Sequence, residues 1–282
     1  MKNQGNGLVL IRVLAGFLLL LGSFAALAEE LPIHLRSIRV WDSSNGLPHN
    51  TAQSITQTPD GYIWVATWEG LARFNGREWK VFDRNEIPGL SDNGIRALLS
   101  ARDGRLWVGS ARDGLFSYFK GQWTAIPYEN EPGHSQITAL FEDTDGRIWI
   151  AAASKTIMSL EPDGSLKRYP VQLPEAKDSA LGFEQDTQGN IWLATRVGLA
   201  KLNKGNFELV PVFPVPIKSL SALAKDHDGK LLAATDRGLF RQGDKTFLPV
   251  KGGEDIGGLH QVESILVETP QRIMFGTQSE GL

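Results

Sequence analysis

The sequence predicts an all-β fold, a β-propeller of four-stranded antiparallel blades, on three observations. The segments TPDGYIWVAT, ARDGRLWVGS, DTDGRIWIAA, DTQGNIWLAT, DHDGKLLAAT and ETPQRIMFGT are six versions of one unit. Their turn positions, Gly61, Gly104, Gly146, Gly189, Gly229 and, aligned on its strand, Gln271, lie 43, 42, 43, 40 and 42 residues apart. No helix-period stretch longer than a turn or two follows the N-terminal segment. A period of 40 to 45 residues made of short strands belongs to propellers and not to helical solenoids.

Within one copy the pattern resolves into strands A to D. Ile137 to Glu142 (ITALFE) precedes the turn and Arg147 to Ala152 (RIWIAA) follows it, apolar and β-branched; these are strands A and B. The Asp-Gly pair between them is expected to supply the positive φ values of a two-residue hairpin turn, with Gln271 breaking the rule. Strand C opens on Gly-Leu at Gly70-Leu71, Gly114-Leu115, Gly198-Leu199 and Gly238-Leu239, whereas copy three has Thr156-Ile157. A second glycine turn (Asn75-Gly76, Lys120-Gly121, Lys204-Gly205) leads into strand D, as at Glu78 to Phe82.

The N-terminus reads as an address. Residues 1–28 carry Lys2 and Arg12, an apolar run of 15 residues from Val13 to Leu27, and Ala26-Leu27-Ala28 before Glu29 and Glu30. This is the layout of a secretory signal peptide cut after Ala28, with an uncleaved anchor as the alternative. The expected location of the body, residues 36–282, is the periplasm. The charge balance of the whole chain, 29 Lys plus Arg against 32 Asp plus Glu without runs, offers no footprint for nucleic acid. Zero Cys removes disulfides, thiolate zinc sites and cysteine nucleophiles.

Four of the eight tryptophans share one slot on strand B, Trp64, Trp107, Trp149 and Trp192, with Leu232 and Met274 in the last two copies. One blade cannot bury so large a face, so these rings are expected between neighbouring blades. Trp41, Trp79 and Trp123 fall on strand D segments, where aromatic residues suit a half-buried sheet surface. Trp68 is the one tryptophan that the repeat leaves unexplained.

The stretch NGLPHNTAQSITQTPDGYIWVATWEGLARFNGREWKVFD, with its echoes of Gly-x-Ile-Trp and a downstream Gly-Leu, resembles the two-component regulator propeller repeats. The resemblance covers about residues 36–282, and is strongest in copies one, two and four. It implies the periplasmic sensor region of a membrane-bound diguanylate cyclase or hybrid histidine kinase. The implied partners are a small-molecule or oligosaccharide ligand and an output domain normally in the same chain, with a dimer only in full-length members. It also implies a ring of seven blades. The sixth copy stops at Gly281-Leu282, where strand C begins, and residues 37–42 (SIRVWD) align with strand D. The expectation is an incomplete ring, whose N-terminus supplies the outermost strand of a last blade.

Catalytic chemistry is thinly represented. Gly252-Gly253-Glu254-Asp255-Ile256 looks like the cyclase signature, yet propeller strands flank it where a cyclase needs an α/β domain. His34, His49, His134, His227 and His260 show no metal-ligand spacing. Glu142 to Gly146 has the acid density of a calcium loop without the alternating ligands, and reads as a solvated turn. Nucleophile elbow, P-loop and dinucleotide motifs are missing, so no cofactor, metal site or catalytic residue is assigned. A propeller lyase or hydrolase and a protein-interaction scaffold remain as the alternative functions.

Because strand directions alternate, the A–B and C–D turns share one face and the B–C and D–A loops share the other. The second face varies from copy to copy: Trp68-Glu69, Arg112-Asp113, Lys155, Arg196 and Asp236-Arg237 in B–C loops, Asn50 and His134 in D–A loops. The candidate ligand-binding residues are therefore Trp68, Glu69, Arg112, Asp113, His134, Lys155, Arg196 and Arg237. Trp68 would lie either over the neighbouring loop or under a flat ligand, with the Arg and Lys side chains favouring an anionic oligosaccharide or carboxylated metabolite.

Overall fold

The computed structural model describes residues 39–127, 136–153, 156–172, 180–253, 262–270 and 272–277. The chain divides at Val40/Trp41, and the sheets all belong to the unit that begins at Trp41. The N-terminal address, Gln271, the Glu254-Asp255-Ile256 part of the cyclase-like segment and the Gly281-Leu282 terminus lie outside the described residues.

The first sheet holds β1 (Ala52–Gln57), β2 (Ile63–Thr67), β3 (Gly70–Phe74) and β4 (Trp79–Phe82) in that order. The second holds β5 (Ile95–Ser100), β6 (Leu106–Ser110), β7 (Leu115–Phe119) and β8 (Gln122–Ile126), and the third β9 (Ile137–Glu142), β10 (Ile148–Ala152), β11 (Thr156–Leu160) and β12 (Leu166–Tyr169). In the fourth, β13 (Val171–Gln172) adds a short parallel edge to β14 (Ala180–Gln185), β15 (Ile191–Thr195), β16 (Gly198–Asn203) and β17 (Asn206–Leu209). The fifth holds β18 (Leu220–Lys225), β19 (Leu231–Thr235), β20 (Gly238–Gln242) and β21 (Phe247–Pro249), and β22 (Val262–Thr269) pairs with β23 (Arg272–Thr277) in the last. Copy three forms its strand C without the Gly-Leu opening, because Ile157 and Met158 supply the buried side chains that glycine-led copies take from leucine. The first strands of successive sheets, β1, β5, β9, β14, β18 and β22, touch one another in that order and so line the axis.

The core is divided among the blade interfaces. Trp64, Leu71 and Phe82 pack on Ile95, Leu98, Leu106 and Val108 of the second blade. Trp107 meets Ile137, Ile148 and Ile150, Trp149 meets Phe183, Ile191 and Leu193, and Trp192 meets Leu220, Leu231 and Ala233. Leu232 repeats the arrangement against Val262, Ile265 and Ile273. The strand B slot thus faces the next blade, as expected. Between the last sheet and the first lies a cleft of about 630 Å³ lined by Ile55, Val65, Phe74, Trp79, Glu263 and Ser264. Ile55 and Leu266 are 69% and 57% exposed, so the ring of described blades is open there.

Three sequence expectations are corrected. The A–B connection is not a two-residue turn: Gly61 donates its N–H to the Thr58 carbonyl and Thr58 to that of Tyr62, and the same bonds recur at Gly104, Gly146, Gly189 and Gly229. Only the glycine takes positive φ, 88° at Gly61, and the preceding Asp does not; the loop is a three-residue one with the glycine in the bulge position. True two-residue turns, both residues at positive φ, occur between C and D at Lys120-Gly121 and Lys204-Gly205.

The second correction concerns the acid before that turn. Asp143 was expected in water and is 1% exposed. Its carboxylate accepts the N–H groups of Asp145 and Arg147, the Arg147 guanidinium and, at 2.9 Å, the Trp149 indole N–H. Asp186 does the same for Trp192 at 2.8 Å. The third correction is at Trp41, which lies in no strand: Asp42 instead caps a turn at Ser44 and accepts the Leu47 N–H. Trp41 packs edge-on against Phe74 and Trp79, 5.3 and 5.9 Å between centroids.

Two predictions follow from this packing. Trp149→Ala is expected to cost about 3–5 kcal/mol and Trp107→Ala less, because Ala101 stands where Asp143 stands and no carboxylate bond is lost; urea unfolding ranks them, and equal losses would assign everything to packing. Glu184 on β14 is half-buried, and its ion pair among the described residues is with Lys225 of the next blade, Nζ to Oε2 3.7 Å. Burial raises its pKa above 4.5 and Lys225 offsets this in part. Charge on Glu184 therefore destabilises the fold at neutral pH, and the penalty is relieved as pH falls through the raised folded value and is absent below the unfolded one. Glu184→Gln should raise the melting temperature near about pH 7 and lose that advantage near about pH 4; a gain independent of pH would refute the assignment.

Candidate functional site

The two faces of the propeller are committed differently. On the turn face, side chains tie blade to blade. Arg102 of the second blade pairs with Glu142 of the third (3.1 Å) and donates to the Asp143 and Thr144 carbonyls. Thr144 donates its N–H to Gln185 of the fourth, and Gln242 of the fifth reaches back to Asp186. Asp186 is held below the ordinary carboxylate range: burial pushes its pKa up, but the Trp192, Asn190 and Gln242 hydrogen bonds outweigh it. Arg147 is bound by Asp143, Asp145 and Glu161. This face is engaged in structure.

The loop face carries the residues singled out from sequence. Trp68-Glu69, Arg196-Val197 and Asp236-Arg237 occupy one position, the tip of a B–C hairpin closed by a buried hydroxyl, with Thr67 donating to Gly70, Thr195 to Gly198 and Thr235 to Gly238. Trp68 lies over the neighbouring loop, where a Cβ at Gly94 would stand 3.3 Å from its ring. It remains 38% exposed. Several candidates turn out to hold the scaffold. Asp113 accepts the Ser91 and Asp92 N–H groups and the Ser91 hydroxyl, Asp236 accepts those of Lys218 and Ser219, and Asn50 accepts that of Ser43. Arg112 is paired with Asp92 (3.5 Å) and Arg237 with Asp236 (3.6 Å). Arg196 makes no ion pair with a described residue. His134 and Lys155 lie outside the described residues.

A feature missed from sequence sits on the innermost strands. Each begins with a β-bulge one residue wide, because register jumps from Ala52 to Ser54, Ile95 to Ala97, Ile137 to Ala139, Ala180 to Gly182, Leu220 to Ala222 and Val262 to Ser264. The unpaired residues are Gln53, Arg96, Thr138, Leu181, Ser221 and Glu263. A bulge takes its extra residue out of the in-and-out alternation and re-aims the side chain; on strands lining the axis, at the loop-face end, these six surround one mouth of the channel. The signal was present: each stands eight residues before the turn position and is followed by a small residue.

Two parts of this ring have distinct chemistry. Arg96 lies with its guanidinium 5.2 Å from the Trp68 ring centroid, and burial lowers its pKa with no carboxylate contributing. It is a partly desolvated cation stacked on an indole. On the other side, Leu181, Arg196, Ser219, Leu220, Ser221, Val262 and Glu263 line a cavity of about 480 Å³ across the fourth, fifth and sixth blades. Among the described residues no group of His, Cys, Asp and Glu could hold a metal ion, and no helix is long and apolar enough to cross a membrane.

Comparison with known proteins bears on this geometry. The family model of the two component regulator propeller matches residues 46–69, 89–112 and 131–154. The first two segments run from ahead of strand A through strands A and B into the B–C loop, and all three contain the bulge. No curated protein matches the chain. Among solved structures, the extracellular domain of a hybrid two component system from B. thetaiotaomicron is similar at 19% identity and TM-score 0.69, over 86% of this chain and 34% of that one. Virginiamycin B lyase from Staphylococcus aureus is similar at 16% identity and TM-score 0.61, over 79% of this chain and 76% of that one. PorZ from Porphyromonas gingivalis, a component of the type-IX secretion system, is similar at 17% identity and TM-score 0.58, over 86% and 41%. These likenesses establish the fold, and the matched segments establish the repeat: the chain is a β-propeller that carries two component regulator propeller repeats.

Proposed function

We propose that this propeller is a ligand-sensing input region of a membrane-bound signal-transduction protein, exported to the periplasm and read out by a diguanylate cyclase or histidine kinase. The carrying observation is the ring of bulge residues. Six copies of one scaffold present six different side chains, Gln53, Arg96, Thr138, Leu181, Ser221 and Glu263, at one mouth, while the opposite face is consumed by contacts between blades. Variation confined to one concave face of a repeat protein is what ligand recognition requires. The extracellular two component neighbour supports the same reading of place and role.

A small anionic ligand or oligosaccharide suits the Arg96 and Trp68 edge, where stacking and a charge-assisted hydrogen bond are available together. The enzyme reading is favoured by the lyase neighbours alone. Of the described histidines, His49 accepts the Thr51 N–H through Nδ1 and His227 lies in an A–B turn on the opposite face. The third reading, a protein-interaction scaffold, would use the same loop face.

The test is a thermal-shift screen of sugars, uronates and carboxylated metabolites. A saturable stabiliser should lose about tenfold or more in affinity on Arg96→Gln and on Trp68→Ala. Arg77→Ala, on an exposed C–D turn, should change nothing. Turnover of the bound compound would move the protein to the enzyme class, and binding that responds to Arg77 alone would move the site to the other face.

A further inference from the structure

We propose that the cavity spanning the fourth, fifth and sixth blades binds a compact zwitterion with an apolar side chain, an α-amino acid or dipeptide, with Arg196 taking its carboxylate and Glu263 its ammonium. The proposal rests on the sensing reading and narrows it. Arg196 differs from its counterparts in the other B–C loops: Arg112 and Arg237 are neutralised by Asp92 and Asp236, whereas Arg196 pairs with no described acid. Its backbone is nevertheless fixed, because Leu220 donates its N–H to the Arg196 carbonyl at 2.9 Å. The guanidinium therefore starts from a rigid point on the cavity wall and remains available.

Glu263 is the bulge residue of the sixth blade, exposed, lining the same cavity, and without an ion pair to any described residue. Arg196 and Glu263 share one cavity yet do not meet at salt-bridge distance. A ligand bearing one charge of either sign would satisfy one head and face repulsion from the other. A zwitterion satisfies both, and in a partly enclosed site each contact is a charge-assisted hydrogen bond. Leu181 supplies apolar surface to the cavity, with the buried Leu220 and Val262 forming part of its wall. The Ser221 hydroxyl is directed at the Ala234 carbonyl and so does not compete as a donor to the carboxylate. A volume of about 480 Å³ lies within the range of small-molecule sites and leaves space for two residues of peptide.

The test is isothermal titration of the whole chain with L-leucine, L-leucyl-L-leucine, N-acetyl-L-leucine and L-leucinamide. Saturable binding is expected of leucine or the dipeptide, with both capped forms weaker by about tenfold or more, the loss of one hydrogen bond to a charged group. Arg196→Gln should abolish the preference for leucine over leucinamide, and Glu263→Gln the preference over N-acetyl-leucine. Both positions are exposed, so circular dichroism should show the fold unchanged. Capped forms binding as tightly as leucine, no binding of any of the four at millimolar concentration, or variants that bind leucine like the parent would each overturn the proposal. A sugar or uronate whose binding depends on Arg96 would overturn it while leaving the sensing reading intact; absence of any ligand across the wider screen would remove both.

Discussion

The structure depends on one repeated contact, the burial of the strand B side chain against the blade that follows. A four-stranded sheet has two faces and no core of its own, so each blade is stable only where a neighbour covers it. Trp64, Trp107, Trp149 and Trp192 are 1 to 7% exposed and reach into the next sheet. Where the indole has a carboxylate partner, the contact also fixes the turn, because Asp143 and Asp186 bind the indole and the turn N–H groups together. The fifth blade shows how tightly the two are coupled. Leu232 replaces the tryptophan, and Asp226, left without an indole, still caps its turn through Lys230 and takes Arg241 as its second partner. Asp226 is half-buried, and Arg241 supplies the side-chain donor that the indole supplies to Asp143 and Asp186.

This coupling divides the molecule by face. The acid, the turn and the ties from Arg102, Gln185 and Gln242 lie on the A–B side, where substitution at one copy disturbs two blades. At the other end the demands are local: a buried hydroxyl closes the B–C hairpins of the first, fourth and fifth blades, and Asn50, Asp113 and Asp236 each hold a neighbouring loop backbone. The side chains at the tips can then differ, as Trp68, Arg196 and Asp236 do, without consequence for the packed interfaces.

The strands were legible in the sequence because each is set by alternation and glycine punctuation. Ile137 to Glu142 appears with the expected bounds, and strand C of the first copy opens at Gly70 as expected. The tryptophan slot was legible for the same reason, since a large apolar residue at a fixed repeat position has nowhere else to go. What could not be read were properties of geometry acquired in three dimensions. Asp143 looks like any turn acid until the indole six residues later folds back on it. Trp41 carries a strand-like context, yet its surroundings turn at Asp42 and the ring is held by Phe74 and Trp79. Of the residues proposed for ligand contact, Trp68 and Arg196 stand in loops that the sequence singles out by their variation; Arg96 and Glu263 do not, because alternation assigns residues inside a strand to its faces, and a bulge breaks alternation without a distinctive residue of its own.

The bulge also explains how a rigid repeat can carry a variable site. The residue after it is small in every copy, Ser54, Ala97, Ala139, Gly182, Ala222 and Ser264, and at Gly182 an added Cβ would meet nothing within 4 Å. The bulge takes its extra residue out of the strand's alternation, so that side chain is re-aimed without a change to the packed face. Its fate then depends on whether its own blade can use it. Thr138 donates to the Ala151 carbonyl and Ser221 to that of Ala234, so both hydroxyls are spent on the sheet that presents them. Gln53, Arg96, Leu181 and Glu263 make no such bond to the facing strand. Among the described residues the unspent side chains at this mouth fall in two arcs, Arg96 beside Trp68 on one and Leu181 with Glu263 and Arg196 on the other, and the sensing proposal places its ligand against one of them or across both.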